Sequence, residues 1–100
     1  MSEPEALALI EFRSIALGTR AIDALIKKAA VLVERMGTLQ PGKFAVLFSG
    51  DVASVDESFG EAMRVAGETV SDSMMLPMIE PRVYRAVMGQ RGLFQGDTLG

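Results

Sequence analysis

Between Ala6 and Arg13 the chain alternates, with Ala6, Ala8, Ile10 and Phe12 on one side and Leu7, Leu9, Glu11 and Arg13 on the other. This is the two-residue period of a strand, and because both sides begin apolar it predicts a central one. The period then changes. Ile15, Gly18, Ile22, Leu25, Ile26 and Ala29 recur at helical spacing, with Arg20, Asp23 and Lys27 off the stripe, which predicts an amphipathic helix over 15–30. VLVERMGTL (31–39) and KFAVLFSG (43–50) predict two strands joined at Gln40, Pro41, Gly42 and Lys43. Pro41 presets φ for the second position of a turn, and Gly42 supplies the positive φ of the third in a type II turn, so the link is a hairpin with Gln40 at its tip.

Two signals compete to start the next helix: Asp51 as N-cap, or Ser54 with Glu57 three residues on as a capping box. Val52, Val55, Phe59, Ala62, Met63 and Ala66 make its predicted buried stripe, and Gly67 is its predicted left-handed end. SMMLPMI (73–79) predicts a fourth strand, whose Pro77 removes a ladder donor and belongs at a sheet edge or strand end. PRVYRAVM (81–88) predicts a short helix with Pro81 in its first turn. The order β-α-β-β-α-β with a terminal helix is an α/β (α+β) class fold, a ferredoxin-like split βαβ arrangement with helices covering one sheet face. Residues 1–5 read as an extension, 6–88 as the domain, and the Gly-rich, aperiodic 89–100 as a tail or linker.

Composition narrows what such a domain does. Of 100 residues, 49% are apolar, and the mean hydropathy is positive. For so small a chain this implies apolar surface that a partner must cover, and hence self-association. There is no Cys and no His, which removes disulfides, thiolate nucleophiles, the usual zinc and iron–sulfur ligands and His-based acid/base chemistry. No metal site, cofactor or catalytic residue is expected. The net charge is −3 and the ten Lys and Arg residues are scattered, so no basic stripe offers itself to nucleic acid. No apolar run is long enough to span a membrane, and the acidic start MSEPE lacks a signal peptide's basic region, leaving the cytoplasm as the expected compartment.

With these segments in place, the chain resembles the bacterial microcompartment shell domain, the BMC domain. ALALIEF is similar to that family's opening strand, IDALIKKAAV to its Asp-x-x-x-Lys-x-Ala helix, and PGKFAVLFSGDVASV to its loop, strand and Gly-Asp-Val helix start. The likeness runs from about Ala6 to Met88. It implies a non-enzymatic shell protein whose subunits form flat hexagonal discs that tile edge to edge, alongside other shell proteins and around encapsulated enzymes in the bacterial cytoplasm. It also implies that Leu39, Gln40, Pro41 and Gly42 line a central pore for small polar metabolites.

The PGKF loop resembles the first domain of tandem members, whose two-domain chains form trimeric pseudohexamers. GDTLG at the C-terminus is similar to the start of another such domain, as EALAL is at the N-terminus. A six-fold ring of this domain and a tandem chain with three-fold symmetry therefore both stay open. Some tandem relatives bind an iron–sulfur cluster through a Cys in this loop. Gln40 stands at that position here, and with no Cys in the chain the cluster is excluded.

The resemblance places Lys27 at the disc edge, where its ammonium donates to backbone carbonyls of a neighbour. Asp23, four residues before it, also makes the favourable surface pair of a helix, which needs no partner molecule. Family members usually end the last strand with Pro-Arg-Pro-His, whose Arg receives the neighbour's lysine. This chain has LPMIEPRVYR, and Arg82 is the candidate substitute. Lys43 is expected to be a solvated lysine at a strand start. Glu11, near Arg13, is expected to serve a structural ion pair rather than general-base chemistry. Met74, Met75 and Met78 are expected as core or interface filler. The alternative function on the same fold is a regulatory module binding a small effector at subunit interfaces.

Overall fold

The computed structural model describes residues 4–38 and 42–89. Strands β1 (Ala6–Phe12), β2 (Leu32–Thr38), β3 (Phe44–Gly50) and β4 (Val70–Leu76) form one sheet in the order β2-β3-β1-β4. Every neighbouring pair is antiparallel. Helices α1 (Ile15–Lys28), α2 (Val52–Ala66) and α3 (Pro81–Met88) complete the expected order, with a 3-10 turn at Gly67–Thr69 before β4.

β1 is central, as its two apolar sides require. Ala6, Ala8, Ile10 and Phe12 join Val46 and Phe48 of β3 beneath α1 and α2, in a core that includes Ala21, Ile22, Leu25, Val55 and Ala62. On the other face, Leu7, Ala45 and Leu47 are covered by Ile79, Tyr84, Val87 and Met88. The helices are thus not all on one face: α1 and α2 share one, and α3 closes part of the other. The sequence alternation of β1 and β3 demands this second cover, since a sheet face lined with Leu does not stay wet.

Several boundaries differ from expectation for local reasons. α1 ends at Lys28, not residue 30, because Ala29 is extended (φ −151°, ψ 170°) and its carbonyl accepts from the Val31 N–H at 3.0 Å. Its buried stripe is Gly18, Ala21, Ile22 and Leu25, whereas Ile15 and Ile26 are half exposed. Ser14 caps the helix by accepting from the Leu17 N–H at 3.2 Å. Asp51, rather than the Ser54–Glu57 pair, caps α2, and its carboxylate accepts from both the Ser54 N–H (2.8 Å) and the Ser54 hydroxyl (3.0 Å). Gly67 has a positive φ of 54°, but its ψ of −125° lies outside the left-handed helical region.

β4 begins three residues earlier than 73 and stops at Leu76, with Pro77 just beyond the end of this edge strand. Ile79 leaves the ladder: its N–H donates to the Glu5 carbonyl at 2.7 Å and its side chain packs on the Leu7, Ala45 and Leu47 cluster that α3 also covers. Ser58, polar and fully buried, also fell outside the expected stripe of α2, and its hydroxyl donates to the Leu25 carbonyl at 2.7 Å, stitching α2 to α1.

Candidate functional site

The hairpin between β2 and β3 is held at its base by antiparallel pairing of Thr38 with Phe44 and Gly37 with Ala45. Leu39, Gln40 and Pro41 lie outside the described residues. Gly42 is exposed with φ +86°, the value the third residue of a type II turn requires, and an added Cβ there would meet nothing within 4 Å. Open space and positive φ together make the glycine a backbone requirement of the turn rather than a packing one.

Lys43, next to the turn, is not merely solvated. Its ammonium sits 3.4 Å from Glu11 Oε1, and the same oxygen accepts from the Ser71 hydroxyl at 2.7 Å. Glu11 is therefore in a structural ion pair, with Lys43 as partner, while Arg13 turns away to donate to the Glu68 carbonyl at 2.9 Å. One carboxylate joins the footing of the turn to β4 across β1.

The predicted edge residues divide between two faces. Lys27 and Asp23 pair at 3.0 Å along α1, and their side chains are 75% and 64% exposed, which leaves the ammonium with hydrogens to give a neighbour. Arg82, on α3, is 87% exposed, with a carboxylate oxygen of Glu80 4.0 Å away. α1 and α3 pack on opposite sides of the sheet, so Lys27 and Arg82 are brought to separate regions of one chain.

A polar cluster under α3 was not foreseen. The pairing of β2 with β3 shifts between Val33 and Arg35, which leaves Glu34 as the extra residue of a β-bulge. Glu34 Oε2 accepts from the buried Ser49 hydroxyl at 2.6 Å and from the Tyr84 hydroxyl at 2.9 Å. Arg35 donates to the Met88 carbonyl at 3.3 Å. Two adjacent charged side chains thus serve the same face of the sheet, against the usual alternation. The sequence carries a signal for this in the adjacent charges Glu34 and Arg35 inside an otherwise apolar strand.

Electrostatics elsewhere are those of a surface. The N–H and hydroxyl of Ser54 hold the Asp51 carboxyl below its ordinary range. The guanidinium of Arg64 does the same for Glu61, to which it donates through Nε at 3.1 Å. Among the described residues, no group of three or more His, Cys, Asp or Glu is placed to hold a metal, and no helix is long and apolar enough to cross a membrane. All buried side-chain polar atoms described have hydrogen-bond partners.

Three comparisons bear on what this arrangement is for. A family model described as the BMC domain matches residues 6–79. The chain is 33% identical over 96 residues to the bacterial microcompartment shell protein PduT of Citrobacter freundii, covering 96% of this chain and 52% of that one. The crystal structure of a microcompartments protein from Desulfitobacterium hafniense DCB superposes with a TM-score of 0.78 at 37% identity, covering 86% of this chain and 48% of that one. The chain spans about half the length of both relatives.

Proposed function

The chain belongs to the BMC domain family, and from that premise we propose that it is a structural subunit of a bacterial microcompartment shell. Residues 6–88 form the shell domain, and 89–100 form a tail or linker. The subunit associates through a heterologous interface that closes into a ring, six-fold from this domain alone or pseudo-six-fold when two such domains share a chain. The turn at 39–42 faces the ring axis. There the amide of Gln40 and the backbone around Gly42 offer donors and acceptors to small polar solutes, and pore diameter with hydrogen-bonding capacity sets what passes. Lys27 is the disc-edge residue, its stem lying along the neighbouring disc and its ammonium donating to carbonyls there; Arg82 receives such a contact on the opposing edge. The shell encloses enzymes in the bacterial cytoplasm, and the subunit itself performs no catalysis.

The observation that carries this reading is the family match over 6–79, with the relatives that share it being named as shell or microcompartment proteins. Its support within the chain is an exposed Lys27 on the outer face of a helix whose other face is buried on the sheet. Negative-stain microscopy of the purified chain is the test, and rings that extend into hexagonal layers are expected. Lys27→Ala should abolish layers and keep rings. A chain that stays monomeric at micromolar concentration would refute the proposal.

A further inference from the structure

Helix α3 meets the sheet along a narrow row. Tyr84, Val87 and Met88 are half-buried on the Leu7, Ala45 and Leu47 cluster, while the other residues of the helix are exposed. A helix of eight residues is not stable alone in water, so α3 is helical only while that row is seated. Its start is set apart from the rest of the fold. Ile79 is tied to the Glu5 carbonyl and packed on the cluster, but Glu80 is extended (φ −71°, ψ 144°) and its side chain caps nothing in the helix. A residue before proline resists helical backbone, so the helix cannot run back into the anchored chain, and Glu80 is a hinge. α3 supplies no rung of the sheet and no residue of the core beneath α1 and α2, so it can leave while both stay intact.

The surface under the row suits one kind of group. Its floor is aliphatic and dry, with Leu7, Ala45 and Leu47 each no more than 1% exposed. At its rim stands the carboxylate of Glu34, which accepts from the buried Ser49 hydroxyl at 2.6 Å and from the Tyr84 hydroxyl at 2.9 Å. Ser49 belongs to β3, so the acceptor stays in position whether or not α3 is seated. An aromatic ring laid on aliphatic side chains, with a hydroxyl donating to a carboxylate, is how a phenol is recognised. The chain has a single tyrosine, and Tyr84 fills this place. We propose that this face of the sheet carries a phenol-binding site occupied by Tyr84 as a tethered ligand, and that α3 is a strap which opens and closes as that phenol is released and rebound. Arg35, donating to the Met88 carbonyl at 3.3 Å, steadies the far end of the strap. The tether gives Tyr84 an effective concentration that a free phenol has to exceed, so the site is closed to phenols from solution until the tyrosine is removed. The device belongs to the single chain and does not depend on the shell reading.

Two measurements on the full chain test this. In the wild type, the amides of α3 should exchange hydrogen at least about tenfold faster than those in the middle of β1 and β3, at a rate that low urea leaves unchanged, as for a local opening. Exchange of α3 and the sheet at one common rate refutes the strap. The second measurement titrates p-cresol, with toluene as the control, while following the methyl signals of Leu7, Ala45 and Leu47 by NMR. In Tyr84→Ala, p-cresol should shift these methyls at a concentration at least about fivefold below that needed for toluene, which lacks the hydroxyl, since one hydrogen bond separates the two. The wild type should show no such shift at the same concentrations. Equal binding of toluene and p-cresol to Tyr84→Ala reduces the site to an apolar void and refutes the phenol assignment. Binding of p-cresol to the wild type as strong as to Tyr84→Ala refutes Tyr84 as the occupant. If Tyr84→Ala loses the whole fold, α3 is not separable from the sheet and the strap is refuted.

Discussion

A Cβ added at Gly18 would lie 2.9 Å from the ring of Phe12 and 3.0 Å from that of Phe44. Phe12 is fully buried, so its ring has nowhere to move. Ala is the better helix former by about 1 kcal/mol, but overpacking a closed core costs about 1–3 kcal/mol, so Gly18→Ala should lower stability by about 1 kcal/mol. Urea or thermal denaturation measures this, and an unchanged midpoint would mean α1 can lift from the sheet. The sequence placed Gly18 on the buried stripe but could not say that two phenyl rings from different strands converge on it. Asp51 gives a residue-scale prediction in pH. Its folded pKa is depressed by the Ser54 N–H and hydroxyl, so its contribution is present above the ordinary carboxylate range and lost as pH falls through the depressed value. Asp51→Asn should flatten the acid side of the stability profile between those two points. The N-cap was legible as one of two candidates; which one won depended on the strand end delivering Asp51, not Ser54, to the helix start.

The bulge in β2 decides how α3 is held. No residue of α3 is fully buried, and an eight-residue helix has little stability of its own, so its docking depends on Val87, Met88 and the hydroxyl of Tyr84 on Glu34. Tyr84→Phe should destabilise the chain by about 1 kcal/mol, the net worth of one such bond. Glu34→Ala should cost more, about 1–3 kcal/mol, since it also strands the buried Ser49 hydroxyl. Hydrogen exchange should quicken in α3 before the rest of the chain in both variants, and uniform quickening would show that α3 and the sheet open as one unit. At this scale the elements themselves were legible, because apolar periodicity switches cleanly between two and 3.6 along the first seventy residues. The bulge was marked only by the adjacent charges Glu34 and Arg35, and its place is set by pairing with β3 rather than by any apolar period within β2. The start of β4 was missed for a related reason: Ser71 and Asp72 part Val70 from the apolar run, but β1 supplies the partner that makes all three a strand.

For the whole molecule, the candidate residues separate into those a single chain explains and those only an assembly does. The Asp23–Lys27 pair is exposed, and Lys27→Ala should change the stability of the chain by no more than about 0.5 kcal/mol. A large loss of layers at that small change, read by microscopy beside a melting curve, is the signature of an edge contact; a matching loss of stability would assign Lys27 to the fold instead. Gly42 was legible as a turn residue because its positive φ is local chemistry. That the turn should face an axis is an implication of the family resemblance alone, since periodicity within one chain carries no information about its neighbours. The placement of α3 opposite α1 and α2 has one more consequence. In a ring whose axis runs along the normal of these sheets, every copy sends its long helices to one end of the axis and its short helix to the other. Such a ring has an obverse and a reverse, and molecules arriving from above and below would meet chemically different terrain.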